Sequence, residues 1–96
     1  MRLIRRDRKR PASLVLARGV RVTPVDDGHT VLDPRGRVLH LNLSAAVMLD
    51  ALLAGGTDTA VAAVRARFGV PEDVARADVV RLLGQLVEYK LVRWRR

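Results

Sequence analysis

The chain has 96 residues, 49% of them apolar and 29% charged, with a formal net charge of +8 and no cysteine. That length fits one domain with its own core, and the apolar content excludes global disorder. The missing cysteine excludes disulfides, thiolate chemistry and Cys-ligated zinc. In chain order, "MRLIRRDRKR" carries +5 and, with Pro11 and Ala12, reads as a basic arm over residues 1–12 ahead of a domain over 13–96. The arm is as basic as the first segment of a signal peptide, but the following "PASLVLARG" is short and broken by Arg18. No apolar run reaches the ~20 residues of a membrane helix, so a cytoplasmic protein with no membrane partner is expected.

Residues 14–25 read as one strand, with Leu14, Val15, Leu16, Val20, Val22 and Val25 as its apolar positions and Gly19 as a bulge. "DDGH" is a turn and "HTVLD" a second short strand. Asp33-Pro34-Arg35-Gly36 has the residue order of a type I turn. A third strand follows from Arg37 to Leu41 or Leu43, completing an antiparallel meander. No fourth strand follows it, so its outer edge is left without a partner. After Asn42 the apolar period changes from two to about 3.6. Asn42 or Ser44 caps a first helix that Gly55-Gly56 ends, and Thr57 or Asp58 caps a second that Gly69 ends. Pro71 opens a third helix, with Glu72 and Asp73 beside its positive end, running to about Lys90. The expectation is an α+β, winged-helix-like domain: a three-stranded antiparallel sheet followed by three helices.

Catalytic constellations are missing from this pattern. His29 and His40 have no companion ligands, so each reads as a solvated or packed side chain and no metal or cofactor is expected. Ser13 and Ser44 lack a nucleophile elbow, Asp26-Asp27 belong to a turn, and Gly55-Gly56 has no phosphate-loop lysine after it. The third helix is more informative. At 100° per residue, Val79, Leu82, Leu83 and Leu86 form a core stripe, while Val80, Gly84 and Val87, with Ala77 at the margin, form a second. That second stripe is either more core or the floor of a groove, with Gly84 admitting another backbone.

"VLHLN", "SAAVMLDALLAGGT", "AVRARFGV" and "DVVRLLGQLVEYKLV", in that order, resemble the PqqD-like domains that recognise leader peptides in ribosomally made peptide pathways. The resemblance covers Val20 to Val92 and is most like the free-standing leader-binding proteins of lasso-peptide pathways. Two departures stand out: Lys90 replaces a glycine common before the final Leu, and no aromatic precedes Leu41-Asn42. The resemblance implies a non-catalytic protein that takes the precursor's leader as an added strand and presents it to a leader peptidase and an ATP-dependent cyclase. The implied binding residues are Arg37, Val38, Leu39, His40, Leu41 and Asn42 on the strand, with Ala77, Val80, Leu83, Gly84 and Val87 on the helix. A winged-helix DNA-binding protein is the alternative. Against it, residues 11–89 sum to −1 and the second helix holds only Arg65 and Arg67 as cations, so no nucleic-acid partner is expected.

Overall fold

The computed structural model describes residues 13–95, and the basic arm expected over 1–12 lies outside them. The elements are β1 (Ser13–Leu16), β2 (Arg21–Val25), β3 (Gly28–Leu32), β4 (Val38–Asn42), α1 (Leu43–Gly55), α2 (Thr57–Phe68), α3 (Glu72–Glu88) and β5 (Val92–Arg95). The α+β, winged-helix-like expectation holds: β2, β3 and β4 form an antiparallel meander and three helices follow. Asp33 builds the second turn. Its carbonyl accepts the Gly36 N–H at 3.0 Å, and its carboxylate accepts the Arg35 and Arg37 N–H groups at 2.9 and 2.8 Å. Gly28 is required where β3 begins, because its φ is +150° and a Cβ there would overlap the Leu41 carbonyl oxygen.

Two strand expectations need correction. Residues 14–25 are two strands, separated by a turn that the Val20 N–H closes on the Ala17 carbonyl at 3.1 Å, with Gly19 at φ +82°. β1 leaves the meander to pair with β5, in register Ser13↔Arg95 to Leu16↔Val92. The sequence reading has no β5, since a four-residue strand acquires its identity from a partner at the other end of the chain. Arg37 belongs to the turn, not to β4.

The helices follow their expected spans, and only the N-cap of α2 differs from expectation. Asn42 caps α1, accepting the Ala45 N–H at 2.9 Å. α2 has Gly56 at its N-cap and no side-chain cap, so neither Thr57 nor Asp58 plays that part. Asp58 instead binds Arg76 of α3 at 3.1 Å. α3 ends in a Schellman motif: the Leu91 N–H reaches the Leu86 carbonyl at 2.9 Å and the Lys90 N–H the Val87 carbonyl at 3.0 Å. Lys90 sits at φ +60°, the left-handed conformation that glycine adopts without penalty.

Leu49 and Leu52 of α1, Val64 of α2, Val79 of α3, Val31 of β3 and Leu91 are the deepest core side chains. Full burial is worth about 1.5–3 kcal/mol for each. His29 is the packed kind of histidine, not a turn residue. It lies on β3 beneath α1, with Nε2 2.9 Å from Asp50 Oδ1 and Nδ1 2.9 Å from the Gly28 carbonyl oxygen.

Candidate functional site: an open strand edge beside α3

The meander has two outer edges, β2 and β4, and they are not equivalent. Asp33 N–H bonds the Arg37 carbonyl, so by antiparallel alternation Leu39 and Leu41 bond β3 at Val31 and His29. Val38, His40 and Asn42 therefore turn their N–H groups outward, and Val38 and His40 turn their carbonyls outward as well. On the other edge the same alternation points Val22 and Pro24 away from β3. Proline has no N–H to offer, and at such a position it protects a sheet edge from pairing. One edge is blocked and the other is open.

The side chains of β4 alternate accordingly. Leu39 and Leu41 face the core, whereas Val38, at 64% exposure, and His40 lie on the outer face, His40 with Nε2 3.6 Å from Asp27 Oδ2.

α3 runs along the open edge in the opposite direction to β4, bonded to it at one end and separated from it by a cavity at the other. Where β4 starts, the Arg37 guanidinium donates to the Tyr89 carbonyl at 3.2 Å and lies 5.5 Å from the Tyr89 ring centroid, while also holding the Asp33 carboxylate. Burial works against charge on Asp33. The hydrogen bonds from Arg37 and Arg35 outweigh it and hold the carboxyl below its ordinary value. Where β4 ends, a cavity of about 220 Å³ is lined by Asn42, Ser44, Ala45, Met48, Asp78, Arg81, Leu82 and Gln85. Asp78 and Arg81 pair with each other there at 2.7 Å.

The helix half of the expected site lies apart from this trough. Val80 and Val87 are 54% and 48% exposed, and a Cβ on Gly84 would meet nothing within 4 Å, so the second stripe is not core. Nor does it face β4. Asp78, Arg81, Leu82, Gln85 and Tyr89 are the residues turned to the strand. Ala77, Val80, Gly84 and Val87 are centred about 135° away, reached around the solvent-facing side of the helix, and Leu83 is half-buried between them and the core stripe. Apolar spacing marks the other side of α3, because the side that meets β4 is mostly polar. Its only sequence signal is the 3.6-residue spacing of Asp78, Gln85 and Tyr89.

The site presents main-chain donors and acceptors and a mixed trough with a cavity at each end. Among the described residues no group of three or more His, Cys, Asp and Glu side chains is placed to hold a metal. No helix there is long and apolar enough to cross a membrane. Of the cations the DNA-binding alternative would use, Arg65 pairs with Glu72 at 3.4 Å.

Such a domain is α+β and winged-helix-like, with one open strand edge set against a helix. The family model described as coenzyme PQQ synthesis protein D (PqqD) matches residues 28–92, and the chain belongs to that family. Two solved structures share the fold. "Lasso peptide synthetase B1 complexed with the leader peptide" superposes with a TM-score of 0.77 at 25% identity, covering 85% of this chain and 99% of that one. "TbiB1 in Complex with the TbiA(beta) Leader Peptide" gives 0.72 at 21%, covering 81% and 93%. Comparison with curated proteins gives no match.

Proposed function

We propose that this protein binds the leader of a ribosomally made precursor peptide, in lasso-peptide biosynthesis, by adding the leader as a strand to β4. The observation that carries the reading is the asymmetry of the sheet: Pro24 closes the β2 edge while Val38 and His40 leave the β4 edge open beside α3. Membership of the PqqD family and likeness to two proteins solved with leader peptides support the same conclusion. The binding groups are the outward backbone of Val38, His40 and Asn42, with Arg37 and Tyr89 at one end and Asn42, Asp78, Arg81, Leu82 and Gln85 at the other. Main-chain bonds supply affinity, and pockets for alternate side chains supply selection.

The protein acts without chemistry of its own, in the cytoplasm, handing the bound precursor to a leader peptidase and an ATP-dependent cyclase. The test titrates fluorescein-labelled leader segments, taken from short precursor genes that neighbour this gene, against the full chain and follows amide hydrogen exchange. Binding slows exchange at Val38 and His40 and leaves Val22 unchanged. A peptide that binds without protecting those two amides would falsify strand addition. Mass spectrometry after long incubation returns the peptide intact, and cleavage by purified protein rejects the non-catalytic role.

A further inference from the structure

The trough beside β4 is electrically uneven. At the Asn42 end Asp78 and Arg81 neutralise one another. At the Arg37 end a cavity of about 210 Å³ is lined by Asp33, Pro34, Arg35, Arg37, Tyr89 and Lys90. The single carboxylate there is spent, since Asp33 is buried and bound by the Arg37 guanidinium and by two backbone N–H groups. Among the described residues neither Arg35 nor Lys90 has an ion-pair partner, which leaves two surplus cations at this end.

The backbone at Lys90 is a second, independent observation. Its φ of +60° is one that a side chain occupies at a cost and glycine occupies freely. A lysine held at such a position, on the rim of a cavity in line with the strand edge, points to a use for its ammonium group.

We infer that the end of the trough formed by Arg35, Arg37 and Lys90 is a subsite for an Asp or Glu side chain of the bound peptide. This rests on strand addition at β4. The meander is antiparallel throughout, and antiparallel addition is the more stable continuation. The peptide's C-terminal flank then lies beside the start of β4. At about 3.3 Å per residue, the acidic side chain falls within roughly three residues C-terminal to the one opposite Val38. The subsite fixes peptide direction and register, which an edge of uniform backbone groups leaves open.

The test is selection from a displayed library of random twelve-residue peptides against the full wild-type chain and against an Arg35→Ser/Lys90→Gly double variant. Both substitutions remove charge at exposed positions, and glycine suits the backbone at 90, so the variant folds. Wild type is expected to enrich alternating apolar residues followed by Asp or Glu on the C-terminal side, and the double variant the same apolar pattern without the acid. Titration of a wild-type-selected peptide then weakens about 3- to 20-fold in the variant at low salt, as two exposed ion pairs allow. The difference falls below about twofold at high salt. A Glu→Gln peptide binds both proteins equally. An apolar pattern without acidic enrichment, or one whose acid persists in the double variant, overturns the subsite while leaving strand addition standing. Selection that yields no alternating pattern from wild type overturns strand addition, and the subsite with it.

Discussion

Replacing His40 by proline would copy onto the open edge the device that Pro24 supplies on the closed one. The His40 N–H points away from β3, so its removal costs the meander no ladder bond. The preceding Leu39 is already extended, as a residue before proline prefers. The His40 side chain makes only an exposed 3.6 Å contact with Asp27, worth about 0–1 kcal/mol. Stability should therefore fall by no more than about 1 kcal/mol, the span of strand propensities. Binding is a different matter. A docked strand draws on the N–H and C=O groups of Val38 and His40 and the N–H of Asn42, each bond worth about 0.5–1.5 kcal/mol net. Proline deletes one and its ring displaces a neighbour, a loss of about 1–3 kcal/mol, or roughly 5- to 150-fold in affinity. Fluorescence titration of the leader peptide, with a thermal melt of each variant, reads both quantities. His40→Val keeps the N–H and should bind nearly as wild type, whereas Leu39→Pro removes a ladder bond to Val31 and should unfold the hairpin. A folded His40→Pro protein with undiminished affinity would refute the edge as the binding element.

The two flanks of α3 separate in the same assay: Gln85→Trp, which fills the cavity at Asn42, should lose binding while folded, whereas Val80→Glu on the exposed far flank should keep both fold and affinity. Val79→Glu is the core control and should unfold, since Val79 has no exposure and a carboxylate there has no partner. Lys90→Gly should raise stability by about 0.5–1 kcal/mol, seen as a melting point about 2–6 °C higher; a lower melting point would show that the left-handed backbone at 90 carries no strain. Because its hydrogen bonds hold Asp33 below the ordinary carboxylate value, its stabilising contribution is complete above about pH 4 and is lost as pH falls through the lower folded value. Melts of wild type and Asp33→Asn should thus converge in strong acid, and a gap of constant size from pH 6 to pH 2 would contradict the assignment.

Local signals made much of this protein legible in its sequence. The helix spans emerge from the 3.6-residue apolar period and from Gly55-Gly56, Gly69 and Pro71. The hairpins emerge from "DDGH" and Asp33-Pro34-Arg35-Gly36, because a turn depends on four residues and a helix on its own spacing. The open edge of β4 is likewise visible, since the chain passes from that strand straight into a helix. What was not legible depends on partners distant in the chain. Val92–Arg95 becomes a strand only because Ser13–Leu16 lies alongside it. Gly19 marks a turn, not a bulge, because the strands on its two sides join different sheets. Pro24 is an edge guard only once register points it outward. The rotation of α3 is the largest such case. Apolar spacing identifies which residues avoid water. Which flank meets β4 is set by the packing of α3 against α1, α2 and β5, which turns Gln85 and Tyr89 to the strand and leaves Val80 and Val87 facing solvent.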